Sequence, residues 1–168
     1  VAAQRLKERL LAVDPHNEAL QDMRLVLRNM QNEADLFRQE NIPLFTQTST
    51  LENEYDKITG GLKANWQGEE KNLSQLGFLL DDRDRAVRQK AWETIADLWL
   101  GQREKLNEIY GELLTLRQKI AHNAGLPDYR AYAFREKGRF DYTPEDCLVF
   151  HEAIETAVVP ALTRILAR

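Results

Sequence analysis

Apolar residues recur along most of this chain at alternating steps of three and four, the spacing of one helix face. Leu20, Met23, Leu27, Met30, Ala34 and Phe37 form one such stripe. Asp14-Pro15 ahead of it offers an N-cap and a proline at the first helical position. Pro43 disfavours helical backbone at Ile42, so this helix is expected to end near Asn41. Ser49-Thr50-Leu51-Glu52 has the form of a capping box, predicting a short helix to about Ile58 with Gly60-Gly61 as its stop. Ala3, Leu6, Leu10 and Val13 make a further stripe at the start, with no capping residue before it.

The pattern changes at Leu62, Ala64 and Trp66, which alternate and then turn at Gly68. This predicts a short extended or hairpin piece near residues 62–70. Asn72 and Gln75 can cap a short helix through Leu80. The longest stripe follows: Trp92, Ile95, Trp99, Leu106, Ile109, Leu113, Leu116 and Ile120, with Gln102 its one polar member. Acidic residues at 81–84 suit the start of that helix, and Gly125 its end. A single rod of this kind would be on the order of 60 Å long at about 1.5 Å per residue. A brief aromatic helix from Tyr129 to Gly138 precedes a last one, opened by Thr143-Pro144 with acids in the first turn. Pro160 is expected to kink that helix, because the stripe resumes at Leu162 and Ile165. The fold expected is all-α, with long antiparallel helices and one short hairpin, organised as a single helical region over 1–168.

Composition narrows the chemistry. The 168 residues carry 8 Gly and 5 Pro, few enough to leave long helices uninterrupted. Net charge is −4 and basic residues alternate with acids, as in Asp81-Asp82-Arg83-Asp84-Arg85, which argues against a nucleic-acid partner. One cysteine, Cys147, excludes an internal disulfide and any cysteine-cluster metal site. The lone cysteine fits a reducing, cytoplasmic setting, no apolar run reaches membrane-spanning length, and no signal peptide is visible in the sequence given. Both ends enter helical pattern without caps, which suggests a piece cut from a longer chain.

One motif stands out. His151-Glu152-Ala153-Ile154-Glu155 differs from the H-E-x-x-H helix of zinc peptidases only in its fifth residue. His151 and Glu155 share a helix face, but a catalytic zinc needs a third protein ligand, and neither His16 nor His122 sits in a ligand-like pattern. The helical wheel places His151 on the apolar seam beside Cys147, Ile154 and Val158, as a core-edge histidine with a carboxylate partner. A degenerate metal site on His151 and Glu155 is the weaker reading. The adjacent Glu69 and Glu70 beside Trp66 point in different directions, so a solvated turn with an anchoring Trp is preferred over a carboxylate dyad. Tyr129, Tyr132, Phe134, Phe140, Tyr142 and Phe150, with Arg130, Arg135, Lys137 and Arg139 among them, could line a peptide groove or stack on bases. An aromatic mini-core folding onto the last helix is the simpler account.

Several blocks occur together in one family. ADLFRQENIPL (34–44), YDKITGG (55–61), WQGEEKNL (66–73), DRDRAVRQKAW (82–92), LRQKIAHNAGLPDYRAY (116–132), FDYTPEDC (140–147), FHEAIE (150–155) and VVP (158–160) resemble, in this order, the N-terminal helical region of oligoendopeptidase F-type zinc metallopeptidases, relatives of thimet oligopeptidase. The resemblance covers nearly the whole chain. It implies an all-helical enzyme in which two halves flank a deep channel for short peptides, with one zinc on a His-Glu-x-x-His helix whose Glu activates the bound water. That helix lies C-terminal to the last matching block in such proteins. The resemblance therefore carries no catalytic, cofactor-binding or metal residue onto this chain. What it implies is a non-catalytic wall of the substrate channel, inactive alone, partnered by the catalytic remainder and serving a zinc-bearing whole. A standalone helical interaction module, using the stripe from Trp92 to Ile120 to bind partner helices, is the alternative.

Overall fold

Caps and turn geometry decide where each element of this chain begins, and hydrophobic faces decide what it packs against. The computed structural model describes residues 9–13 and 22–167. The expected start at Asp14-Pro15, together with Ala3, Leu6 and Leu20 of the two N-terminal stripes, lies outside the described residues. The described chain is mostly helical, with one two-stranded antiparallel hairpin. It divides into two compact units, one formed by 39–120 and the other by 1–38 with 121–168.

In the unit of residues 39–120, a 3₁₀ turn at Gln39–Asn41 leads into helix α2, Ile42–Gly60. Helix α1, Arg24–Leu36, belongs to the other unit and stops earlier than the pattern suggests, because Phe37 is extended (φ −64°, ψ 128°). Pro43 does not terminate α1. It occupies the first turn of α2, where its missing N–H would have had no partner anyway. The expected cap at Ser49-Thr50 is likewise overturned, since α2 runs straight through it. Thr50 Oγ1 donates to the Thr46 carbonyl at 2.9 Å, a bond a mid-helix threonine makes instead of capping. Gly60 and Gly61 do end the helix, as expected.

The hairpin pairs β1, Lys63–Trp66, with β2, Glu69–Asn72, in the register Asn65↔Glu70 and Trp66↔Glu69. Gln67 (φ 55°) and Gly68 (φ 90°) both lie in the left-handed region, as a two-residue type I′ turn requires. Asn65 Oδ1 braces that turn by accepting from the Gly68 amide at 3.0 Å. Asn72 and Gln75 then close a reciprocal capping box on α3, Leu73–Gly77, which continues as a 3₁₀ turn over Phe78–Asp81. Trp66, Leu76 and Ala91 form the buried centre of this region, flanked by Ala64, Leu79, Val87, Ile95 and Leu98.

The single long rod is a correction. It is two helices, α4 (Arg85–Gly101) and α5 (Arg103–Asn123), separated at Gln102 (φ −104°, ψ 0°). The Gln102 amide reaches back only three residues, to the Trp99 carbonyl at 3.0 Å. Gly101 weakens helix propensity at this junction. The buried face of α4 is also not the one the Trp92–Trp99 stripe marks. At 3.6 residues per turn, Val87, Ala91, Ile95 and Leu98 share a face about a quarter turn away. Trp92 is consequently 64% exposed while Ala91 is fully buried. Asp84 Oδ1 caps α4 by accepting from the Ala86 amide at 2.9 Å, so acids do mark its start.

In the other unit, α5 ends in a Schellman turn: Leu126 N–H donates to Ala121 O and Gly125 N–H to His122 O, with Gly125 at φ 79°. The Arg38 guanidinium binds the carbonyls of Asp35, Asn123 and Ala124, joining the C-terminal ends of α1 and α5 through the charge that suits such ends. Helix α6, Tyr129–Glu136, is capped by Asp128, whose Oδ1 accepts from Ala131 N at 2.8 Å. Helix α7, Pro144–Ala153, passes through a π turn at Ile154–Val158 into α8, Val159–Leu166. The wider π winding comes just before Pro160, which lacks an amide and crowds the carbonyl four residues back, so the helix is adjusted rather than ended. Among the described residues no helix is long and apolar enough to cross a membrane.

Candidate functional site

Thr143 sets the helix that carries the near-zinc motif. Its Oγ1 accepts from the Asp146 amide at 3.2 Å, while Asp146 Oδ2 accepts from the Thr143 amide at 2.7 Å and from its hydroxyl at 2.9 Å. These bonds hold the Asp146 carboxyl below its ordinary value, the backbone bond contributing most. The exposure along α7 contradicts the buried-seam reading of His151. His151 and Glu155 are both exposed, and neither side chain makes a hydrogen bond or ion pair among the described residues. The helix turns from α to π winding between them, so their i,i+4 relationship is not that of a regular helix. No group of three His, Cys, Asp or Glu that could hold a metal is present among the described residues. The donor set therefore does not fit a catalytic zinc.

The aromatic group forms a core, but against a different partner from the one expected. Tyr129 and Tyr132 stack at 5.7 Å, and Phe134 meets Tyr142 edge-on at 5.7 Å. Tyr132 is buried, and burial first, then the charges of Glu136 and Tyr129, pushes its hydroxyl up to about 12. Helix α6 docks on α1, not on the last helix. Arg135 Nη2 pairs with Asp35 at 3.0 Å, and Asn32 Nδ2 donates to the Arg135 carbonyl at 2.8 Å. Phe150, assigned to the mini-core from sequence, is 65% exposed. Arg28 lies over Phe140 at 4.4 Å and pairs with Asp141, and Arg139 lies over Phe134 at 5.1 Å. The Arg28 and Arg139 guanidinium groups are thus engaged within the fold.

Trp66 anchors the hairpin in the core, as expected, and Lys90 Nζ sits 5.2 Å from its ring. Glu69 and Glu70 do not form a dyad: Glu69 pairs with Lys71 and Glu70 with Lys63, each at 2.9 Å. The bond to Lys71 lowers the Glu69 carboxyl, and the bond to Glu70 raises Lys63.

What sequence patterning missed are two clefts beside the antiparallel pair α2 and α5. Buried Asn41 donates from Nδ2 to the Ile120 carbonyl at 3.1 Å near one end, and Lys105 Nζ meets Glu54 at 3.1 Å near the other. A cleft of about 650 Å³ is lined by Thr46, Thr50, Glu108, Gly111 and Thr115 among others. Its threonine hydroxyls are spent on carbonyls one helical turn back. On the opposite face of α5 lies a cleft of about 520 Å³ between Glu52, Tyr55, Asp56 and Tyr110, with Ile109 and Leu113 as its floor. The i, i+3, i+4 grouping of Glu52, Tyr55 and Asp56 is visible in sequence, but its partner on α5 is not.

The model of peptidase family M3 matches residues 78–168. Solved structures match almost the entire chain. One, described as an oligoendopeptidase F, is 23% identical with a TM-score of 0.90, covering 97% of this chain and 29% of that chain. PZ peptidase A with an inhibitor is 25% identical with a TM-score of 0.85, covering 92% and 28%. A protein described as an oligoendopeptidase F from Bacillus anthracis str. Ames is 22% identical with a TM-score of 0.87, covering 96% and 30%. This chain thus spans less than a third of the length of each. No curated protein matches it in sequence.

Proposed function

The chain belongs to peptidase family M3, and from that premise we propose that it is a non-catalytic helical part of a zinc-dependent oligopeptidase that hydrolyses short peptides. The observation that carries this reading is the pairing of near-complete coverage here with less than a third of each matched structure. A whole enzyme of this kind has a further two-thirds in which its metal helix can reside.

In this reading the chain forms one wall of a peptide channel and its partner is the catalytic remainder. The apolar surface of α7 and α8 supports that role. Val149, Phe150, Leu162, Ile165 and Leu166 are all at least half exposed. A cluster of this kind on one helical segment marks a surface meant to be covered. The setting proposed for the whole enzyme is cytoplasmic. The standalone-module alternative draws on the same exposed helices, but gives no account of the match to a family of longer enzymes.

The test is a fluorogenic short-peptide assay on these 168 residues with zinc supplied. No turnover is expected. Chelator-sensitive hydrolysis by the chain alone would overturn the non-catalytic assignment.

A further inference from the structure

We propose that the cleft between α2 and α5 that is floored by Ile109 and Leu113 binds a basic side chain, Lys or Arg, of a short peptide. The proposal rests on the peptidase reading only for the peptide. The cleft supplies the preference for a cation. Its volume, about 520 Å³, lies within the range of small-ligand sites.

The lining is arranged by depth. At the bottom are Ile109 and Leu113, almost completely buried, with Leu106 beside them. These apolar carbons match the methylene stem of a long cationic side chain, which prefers apolar cover while its head stays polar. At the rim are the rings of Tyr55 and Tyr110, both substantially exposed. Exposed tyrosine faces attract ammonium and guanidinium groups through the ring quadrupole.

Charge then selects the sign. Three charged side chains line the cleft: Glu52, Asp56 and Arg117. Arg117 Nη2 is paired with Glu52 Oε1 at 3.0 Å, so those two largely neutralise each other. Asp56 makes no side-chain hydrogen bond or ion pair among the described residues. It projects from the same face of α2 as Glu52 and Tyr55, four and one positions away. The cleft therefore presents one uncompensated carboxylate between two tyrosines over an apolar floor. An anionic side chain would meet a like charge there, and a purely apolar one would gain nothing from the carboxylate. A basic one satisfies it.

The experiment is calorimetric titration of the 168-residue chain with blocked dipeptides, acetyl-Leu-X-amide, where X is lysine, arginine, norleucine or glutamate. Amide shifts followed in parallel by NMR locate the site. The Lys and Arg peptides are expected to bind at least about tenfold more tightly than the norleucine peptide, a difference of about 1.4 kcal/mol. Amides of 52–56 and 106–117 should shift. Asp56→Asn should remove most of the difference, and Tyr110→Leu should weaken the basic peptides by about three- to fivefold, as loss of one cation–π contact predicts. Both positions are exposed, so neither change threatens folding. Equal affinity for lysine and norleucine peptides, no binding, unaltered binding by Asp56→Asn, or shifts confined to other elements would each overturn the proposal. None of these outcomes touches the proposed peptidase function, which stands or falls on chelator-sensitive turnover by the longer enzyme.

Discussion

Asn32 and Arg135 hold each other reciprocally. Arg135 Nε donates to Asn32 Oδ1 at 3.0 Å, and Asn32 Nδ2 donates to the Arg135 carbonyl at 2.8 Å. The two residues are 103 positions apart, and the clasp fixes α6 against α1 at a site where Asn32 is buried. Removing the amide leaves a guanidinium N–H and a carbonyl without this partner at a part-buried site. Asn32→Ala is expected to destabilise the chain by about 1–3 kcal/mol. Urea unfolding measures it, and a midpoint unchanged from the parent would contradict the clasp.

Leu76 and Trp92 make a contrasting pair. Leu76 is completely buried against Trp66 and Ala91, whereas Trp92 is mostly exposed although it leads the strongest sequence stripe. Leu76→Ala should cost about 2–5 kcal/mol through lost burial and a residual cavity. Trp92→Gln should change stability by no more than about 0.5 kcal/mol. The reverse order in thermal or urea unfolding would show that the stripe, not the observed face, packs the core.

Tyr132 predicts an alkaline limit. Its folded value is raised to about 12 from an ordinary 10.0, so the folded state holds the phenolic proton more tightly than the unfolded chain does. The resulting stability is fully present below pH 10 and is lost as pH rises towards 12. Tyr132→Phe should flatten that part of the stability profile. Ultraviolet titration should show one tyrosine ionising last; ionisation of all tyrosines together near pH 10 would contradict its burial.

The surface of α7 and α8 predicts a phenotype in binding rather than folding. Phe150→Gln with Ile165→Gln should lower binding of a hydrophobic dye and reduce self-association, while shifting the unfolding midpoint little, since both residues are exposed. A marked fall in stability would mean that these side chains are already packed within this chain.

Local chemistry was the part of the fold most legible in sequence. Thr143-Pro144, Asn72 with Gln75, Gln67-Gly68 and Gly125 each carry a turn or cap whose physics is contained in a few neighbouring residues, and each appears where expected. Choices made by tertiary packing were not legible. Pro43 is equally at home after a helix or inside the first turn of the next, and only the extended backbone at Phe37 separates the two. The stripe through Trp92 and Trp99 is genuine, yet a parallel face through Ala91 meets Trp66 and is the one buried. His151 looked half-buried because a helical wheel assumes that an apolar seam has a partner. In this chain Cys147 and Ile154 of that seam are half-buried, while His151 and Val158 are exposed. The clefts beside α2 and α5 depend on side chains from segments some fifty residues apart, a relationship that no local pattern encodes.

The central claim, that these residues are a non-catalytic part of a longer M3 peptidase, is tested most directly on the full-length protein that carries them. Its hydrolysis of a short fluorogenic peptide should be measured with and without a zinc chelator, alongside the 168-residue chain at equal concentration. The account predicts chelator-sensitive turnover by the full-length protein and none by the chain. Turnover by the isolated chain, or a full-length protein with no metal-dependent peptidase activity, would contradict it.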